Sequence, residues 1–85
     1  PLPSSEAVLV SMDQEGRVYV DQTEIQPDQV GEVLAQIRTS RGLGRVYVRA
    51  DERIPYGEVA RLMGRIRQAE FENVGLVFEA SMEEE

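Results

Sequence analysis

Cysteine, histidine, lysine and tryptophan are all missing from the 85 residues of this chain. Without cysteine there is no disulfide and no thiol nucleophile. Without histidine as well, the usual zinc sites and the commonest general base are gone. The lack of cysteine leaves the compartment open, because such a chain suits the cytosol and the periplasm equally. There is no run of eighteen apolar residues and no signal-like segment, so any membrane anchor is expected to lie outside this chain. No Ser, His and Asp set exists, and catalysis is not expected.

What is present is one domain's worth of chain. Eighty-five residues, 41% of them hydrophobic, support a single modest core with a stability of about 5 kcal/mol. The net charge of −7 argues against nucleic acid as a partner, since phosphate binding needs a basic field. All nine basic residues are arginine. Five of them (Arg49, Arg53, Arg61, Arg65 and Arg67) fall within nineteen residues that hold only three acids. That excess suits either an acidic partner or a solvated helix face.

Residues 1–6, Pro-Leu-Pro-Ser-Ser-Glu, read as the end of a linker, 7–79 as the folded domain and 80–85 as an acidic flexible tail. The first strand is expected over 7–12, with Val8, Val10 and Met12 on one face. Asp13-Gln14-Glu15-Gly16 is a hairpin turn, and 17–21 returns with Val18 and Val20 inward. Pro27 and Asp28 mark a helix start, after which Val30, Val33, Leu34 and Ile37 form one apolar stripe. Gly42 is a natural left-handed cap. A third strand over 45–50 buries Val46, Val48 and Ala50. A second helix over 56–69 carries Val59, Leu62, Met63 and Ile66. The last strand, 74–79, turns Val74, Leu76 and Phe78 inward.

The order β-β-α-β-α-β predicts an α/β (α+β) two-layer sandwich, a mixed four-stranded sheet with both helices on one face. Crossovers through helices predict that the second, third and fourth strands run parallel. The opposite face would then show Leu9, Arg17, Tyr19, Tyr47, Arg49, Val77 and Glu79. Two tyrosines and two aliphatics there exceed what solubility requires and suggest a contact surface. A face covered only by water and the chain's own termini fits the same pattern.

Candidate chemistry is sparse. Asp51 and Glu52 are adjacent carboxylates at a strand end, where α/β active sites often lie, but successive residues leaving a strand point in different directions. Asp51 is expected to accept backbone N–H bonds in the turn before the second helix. Asp13 and Glu15 lack the further oxygen ligands that calcium needs. Gly42-x-Gly44 precedes a strand, not the helix N-terminus on which a phosphate cradle depends. No cofactor and no metal are expected.

The segment Val48-Arg49-Ala50-Asp51, a short turn, Tyr56-Gly57-Glu58-Val59 and Leu62-Met63 resembles the periplasmic domain of the ExbD/TolR family. The likeness continues through Phe71 to Val74-Gly75-Leu76-Val77, and earlier through Leu2-Pro3 and Gly16-Arg17-Val18-Tyr19-Val20. One departure is Ala69-Glu70-Phe71, where the family usually has Ala-Gly before the aromatic, so the glycine cap expected at the second helix is absent.

The resemblance implies a non-enzymatic domain of an inner-membrane subunit in a motor driven by proton motive force. In that family one N-terminal transmembrane helix, bearing the proton-handling Asp, is followed by a linker and this periplasmic domain. It implies homodimerisation, an ExbB/TolQ-type membrane subunit reached through the helix this chain lacks, a TonB/TolA-type energy-transducing protein, and in TolR-type members peptidoglycan. The ExbD and TolR branches are not distinguished. Leu9, Tyr19, Tyr47, Arg49, Leu76 and Val77 are the candidate dimer or partner contacts. Asp51, Tyr56 and Gly57 mark the family turn. The rival reading is a free-standing regulatory domain binding a small ligand at the turn between Asp51 and Tyr56.

Overall fold

The computed structural model describes residues 7–42, 44–71 and 73–80. The linker expected over 1–6, the tail beyond Ala80 and Leu43 lie outside them. Five strands and two helices follow in order: β1 (Val8–Met12), β2 (Val18–Val20), β3 (Thr23–Ile25), a 3-10 turn (Pro27–Gln29), α1 (Val30–Arg41), β4 (Arg45–Asp51), α2 (Tyr56–Gln68) and β5 (Asn73–Glu79). The fold is mixed α+β.

The sheet has five strands, not the four expected, in the order β3-β2-β1-β4-β5. The extra strand is β3, which pairs antiparallel with β2, Thr23 opposite Val20 and Ile25 opposite Val18. Three residues, two of them exposed, are too few to show alternation. This strand also corrects the chain directions. β2 runs antiparallel to β1, while β4 is parallel to β1 and β5 to β4. The second strand therefore opposes the two that follow the helices, because the chain reverses once more through β3 before α1.

The core lies between the sheet and the helices. Val8, Val10, Val18, Val46, Val48 and Ala50 expose nothing, and they meet Val30 and Leu34 of α1 and Val59, Leu62 and Ile66 of α2 in one cluster. Each fully buried valine or leucine contributes about 1.5–3 kcal/mol relative to exposure. The helices also touch each other, with Gly31 of α1 facing the carbonyl of Arg65 in α2. One expected core residue fails: Phe78 is 45% exposed. It sits near the end of β5, an edge strand with a neighbour on one side only, whereas Val74 and Leu76 pack against the core.

The two helices end differently. Gly42 stands at φ 69° and donates its N–H to the Arg38 carbonyl at 2.9 Å, the left-handed cap expected from the sequence. After α2 the left-handed position is taken by Glu70, also at φ 69°, with its N–H on the Arg67 carbonyl at 2.9 Å. The chain leaves α2 through tighter bonds to carbonyls three residues back and takes the left-handed step without glycine, at a cost of about 1 kcal/mol.

Candidate contact face

Pairing across β1, β4 and β5 sets the side chains on the face away from the helices. Leu9 lies beside Tyr47 and Tyr47 beside Gly75, and one row on, Ser11 lies beside Arg49 and Arg49 beside Val77. Tyr19 of β2 joins them opposite Ser11. Strand alternation alone puts these residues together. Leu9, Tyr19, Tyr47 and Arg49 are half-buried, and Val77 is 48% exposed. Gly75 has a packing role here, since a Cβ on it would lie 2.9 Å from Cδ1 and 3.1 Å from Cε1 of Tyr47. The tyrosine ring lies over the bare backbone of β5, an aromatic covering a strand glycine.

Tyr19 is tethered. Its hydroxyl donates to Asp13 Oδ2 at 3.2 Å, and the same carboxylate accepts the N–H of Glu15 at 3.0 Å, the N–H of Arg17 at 2.9 Å and Arg17 Nε at 2.8 Å. Burial by itself would raise the Asp13 pKa. The N–H and guanidinium of Arg17, the arginine's charge and the Glu15 N–H outweigh it and hold the carboxyl below its ordinary value. Asp13 is thus the polar hub of the β1–β2 hairpin. The sequence marks only an ordinary hairpin turn there; the signals of the hub are the arginine four residues on and the tyrosine six residues on.

Arg49 reaches toward Glu79, its Nε 3.7 Å from Oε2, and that Nε is buried with no hydrogen-bond partner among the described residues. Asp51 exposes nothing. It accepts the N–H of Arg53 at 2.9 Å and is gripped by Arg53 Nε at 2.9 Å and Nη2 at 2.7 Å. These contacts define a turn, which a further bond from the Glu52 N–H to the Glu79 carbonyl, 2.7 Å, ties to the end of β5. Ile54 is buried beneath it, while Tyr56 is 68% exposed and Gly57 is exposed. The structure therefore brings Leu9, Tyr19, Tyr47, Arg49 and Val77 onto one face. It turns Leu76 to the helix side and keeps Asp51, at the end of β4, and Tyr56 and Gly57, in the first turn of α2, away from that face.

Beside the face, Leu9 and Tyr47 floor a concavity of about 490 Å³, rimmed by Asp21, Gln22, Thr23 and Arg41. The rim was not legible in advance because it includes the missed turn into β3. Among the described residues no three Asp or Glu side chains are grouped to hold a metal ion. No helix among them is long and apolar enough to cross a membrane.

The structure thus defines a small α+β domain with an aromatic sheet face and acids tied into turns. The family model described as Biopolymer transport protein ExbD/TolR matches residues 1–81, and the chain belongs to that family. It is 35% identical over 69 residues to the biopolymer transport protein ExbD of Pseudomonas aeruginosa, covering 81% of this chain and 52% of that protein. It is 36% identical over 53 residues to the Tol-Pal system protein TolR of the same organism, covering 62% of this chain and 36% of that protein. The chain spans about half the length, or less, of these relatives.

Proposed function

We propose that this chain is the periplasmic binding and dimerisation domain of an inner-membrane motor subunit of the Ton or Tol type. The subunit would be anchored by a single N-terminal helix, driven by proton motive force and associated with an ExbB/TolQ-type subunit. Membership of the ExbD/TolR family supports that setting. The observation that carries the binding role is the aromatic face of Leu9, Tyr19 and Tyr47 running into the exposed Val77 of an edge strand, on whose other face Phe78 is exposed as well. A face of that chemistry beside a free edge invites packing or strand addition.

Two copies of β5 paired antiparallel about Leu76 would set Val74 against Phe78, Gly75 against Val77 and Asn73 against Glu79. That register covers the exposed apolar side chains and opposes no like charges. The face would receive the TonB/TolA-type partner or peptidoglycan, so that motion of the membrane stator reaches the cell envelope without chemistry in this domain. The small-ligand reading at the 51–56 turn finds less support, because Asp51 is closed off by Arg53.

Sedimentation and NMR titration with the partner test this directly. Phe78→Glu should weaken dimerisation, and Tyr19→Ala with Tyr47→Ala should weaken partner binding. If all three left association unchanged, the surface assignment would be wrong.

A further inference from the structure

The cup floored by Leu9 and Tyr47 has a rim that the contact face alone does not explain. About 490 Å³ with an apolar floor and a few converging polar groups is the usual form of a site for a small ligand or one anchoring side chain. The two charged rim residues are not equally committed. Asp21 stands in left-handed backbone at φ 56°, a turn conformation that aspartate tolerates because its side chain can bond the backbone. Its Oδ1 accepts the N–H of Leu9 at 3.3 Å, its own N–H donates to the Leu9 carbonyl at 2.6 Å, and its Oδ2 faces Arg41 Nη1.

Arg41 is freer. Its approach to Asp21, at 3.6 Å, is longer than a hydrogen bond. A guanidinium carries five N–H donors, and this one sits with a 43% exposed side chain. Its place in the last turn of α1 complements the helix dipole without using those donors. The rim therefore has donors to spare beside an aromatic floor.

We propose that the cup takes an aromatic or large aliphatic side chain that carries or adjoins a carboxylate, presented by an extended segment of the docking partner. The apolar group rests on Tyr47 and Leu9 and the carboxylate meets the Arg41 fork, a charge-assisted and directional pairing. This rests on the reading of the sheet face as a docking surface and adds the chemistry of what docks.

The test uses the 85-residue chain labelled for NMR, with N-acetyl-phenylalanine and N-acetyl-phenylalaninamide as probes. The acid should shift the amides of Leu9, Asp21, Gln22, Thr23, Arg41 and Tyr47, and the amide probe should bind about tenfold more weakly. Arg41→Gln should abolish that preference while leaving the weaker binding, and Tyr47→Ala should weaken both probes. No shift at tens of millimolar, shifts confined to β5, or an unchanged preference in Arg41→Gln overturns the proposal. So do shifts that emerge only in Leu2→Ser, since the chain's own leading segment would then fill the cup. If Tyr19→Ala and Tyr47→Ala impair partner binding while neither probe binds, the docking face stands and the cup proposal alone falls.

Discussion

On the helix side of the sheet Val8, Val10, Val46 and Val48 expose nothing, and every neighbour in their cluster is apolar. On the other side the same strands carry Leu9, Tyr47, Ser11 and Arg49, half of them polar, and the hairpin hub Asp13 lies beside them. One set of backbones thus supports two surfaces of different make. The helix side is filled by volume, where any missing methyl is felt. The open side is organised by hydrogen bonds and one aromatic ring laid on glycine.

The largest difference between the faces should appear on truncation. Leu62→Ala removes a fully buried side chain and should cost about 3 kcal/mol in urea unfolding, whereas Tyr47→Ala on the open side should cost under about 1 kcal/mol. Equal losses would mean that the open face is core. Next, Asp13→Ala strips the hairpin of four acceptor contacts and should cost about 2 kcal/mol. Because the folded-state pKa of Asp13 lies below its ordinary 3.8, its contribution is present above that value and is lost as the pH falls through the lowered one. The stability gap between the native chain and Asp13→Asn should therefore close in acid, and a gap independent of pH would contradict the hub.

Gly75→Ala should come third, at about 1 kcal/mol. It should move the Tyr47 ring and change the ring-current shifts of Leu9 and Gly75 neighbours, while the helix side stays as it is. The smallest effect belongs to the helix layer. Glu70→Gly should stabilise by about 0.5 kcal/mol in thermal unfolding, because glycine adopts that φ without strain. A destabilised variant would show that the Glu70 side chain contributes more than its backbone costs.

The helix side was legible in the sequence because it obeys two periods. Valines at every second residue and apolar residues at i, i+3 and i+4 name the covered face, and Gly42 names the end of α1. The open side was legible only as a list of residues. Nothing in Thr23-Glu24-Ile25 declares a strand, since its pairing partner is set by the turn at Asp21 and not by its own pattern. Phe78 kept the inward phase of its strand, yet phase does not say whether a helix reaches that far. Asp13 and Asp51 are alike in sequence as turn acids; in the fold one holds the tyrosine of the open face and the other closes on the arginine two residues on.

The directions of β1, β4 and β5 have a mechanical consequence. The described chain enters at the start of β1 and leaves at the end of β5, and these two strands run parallel through β4 between them. Tension applied between residues 7 and 79 acts along the strands, so the inter-strand bonds of each ladder share the load in shear instead of opening one after another. In a single-molecule pulling experiment, handles at those positions should require a higher force than handles at the edge hairpin, Val18 and Ile25, where the ladder opens from its end. A domain wired in this way can pass a pull along its length and remain folded.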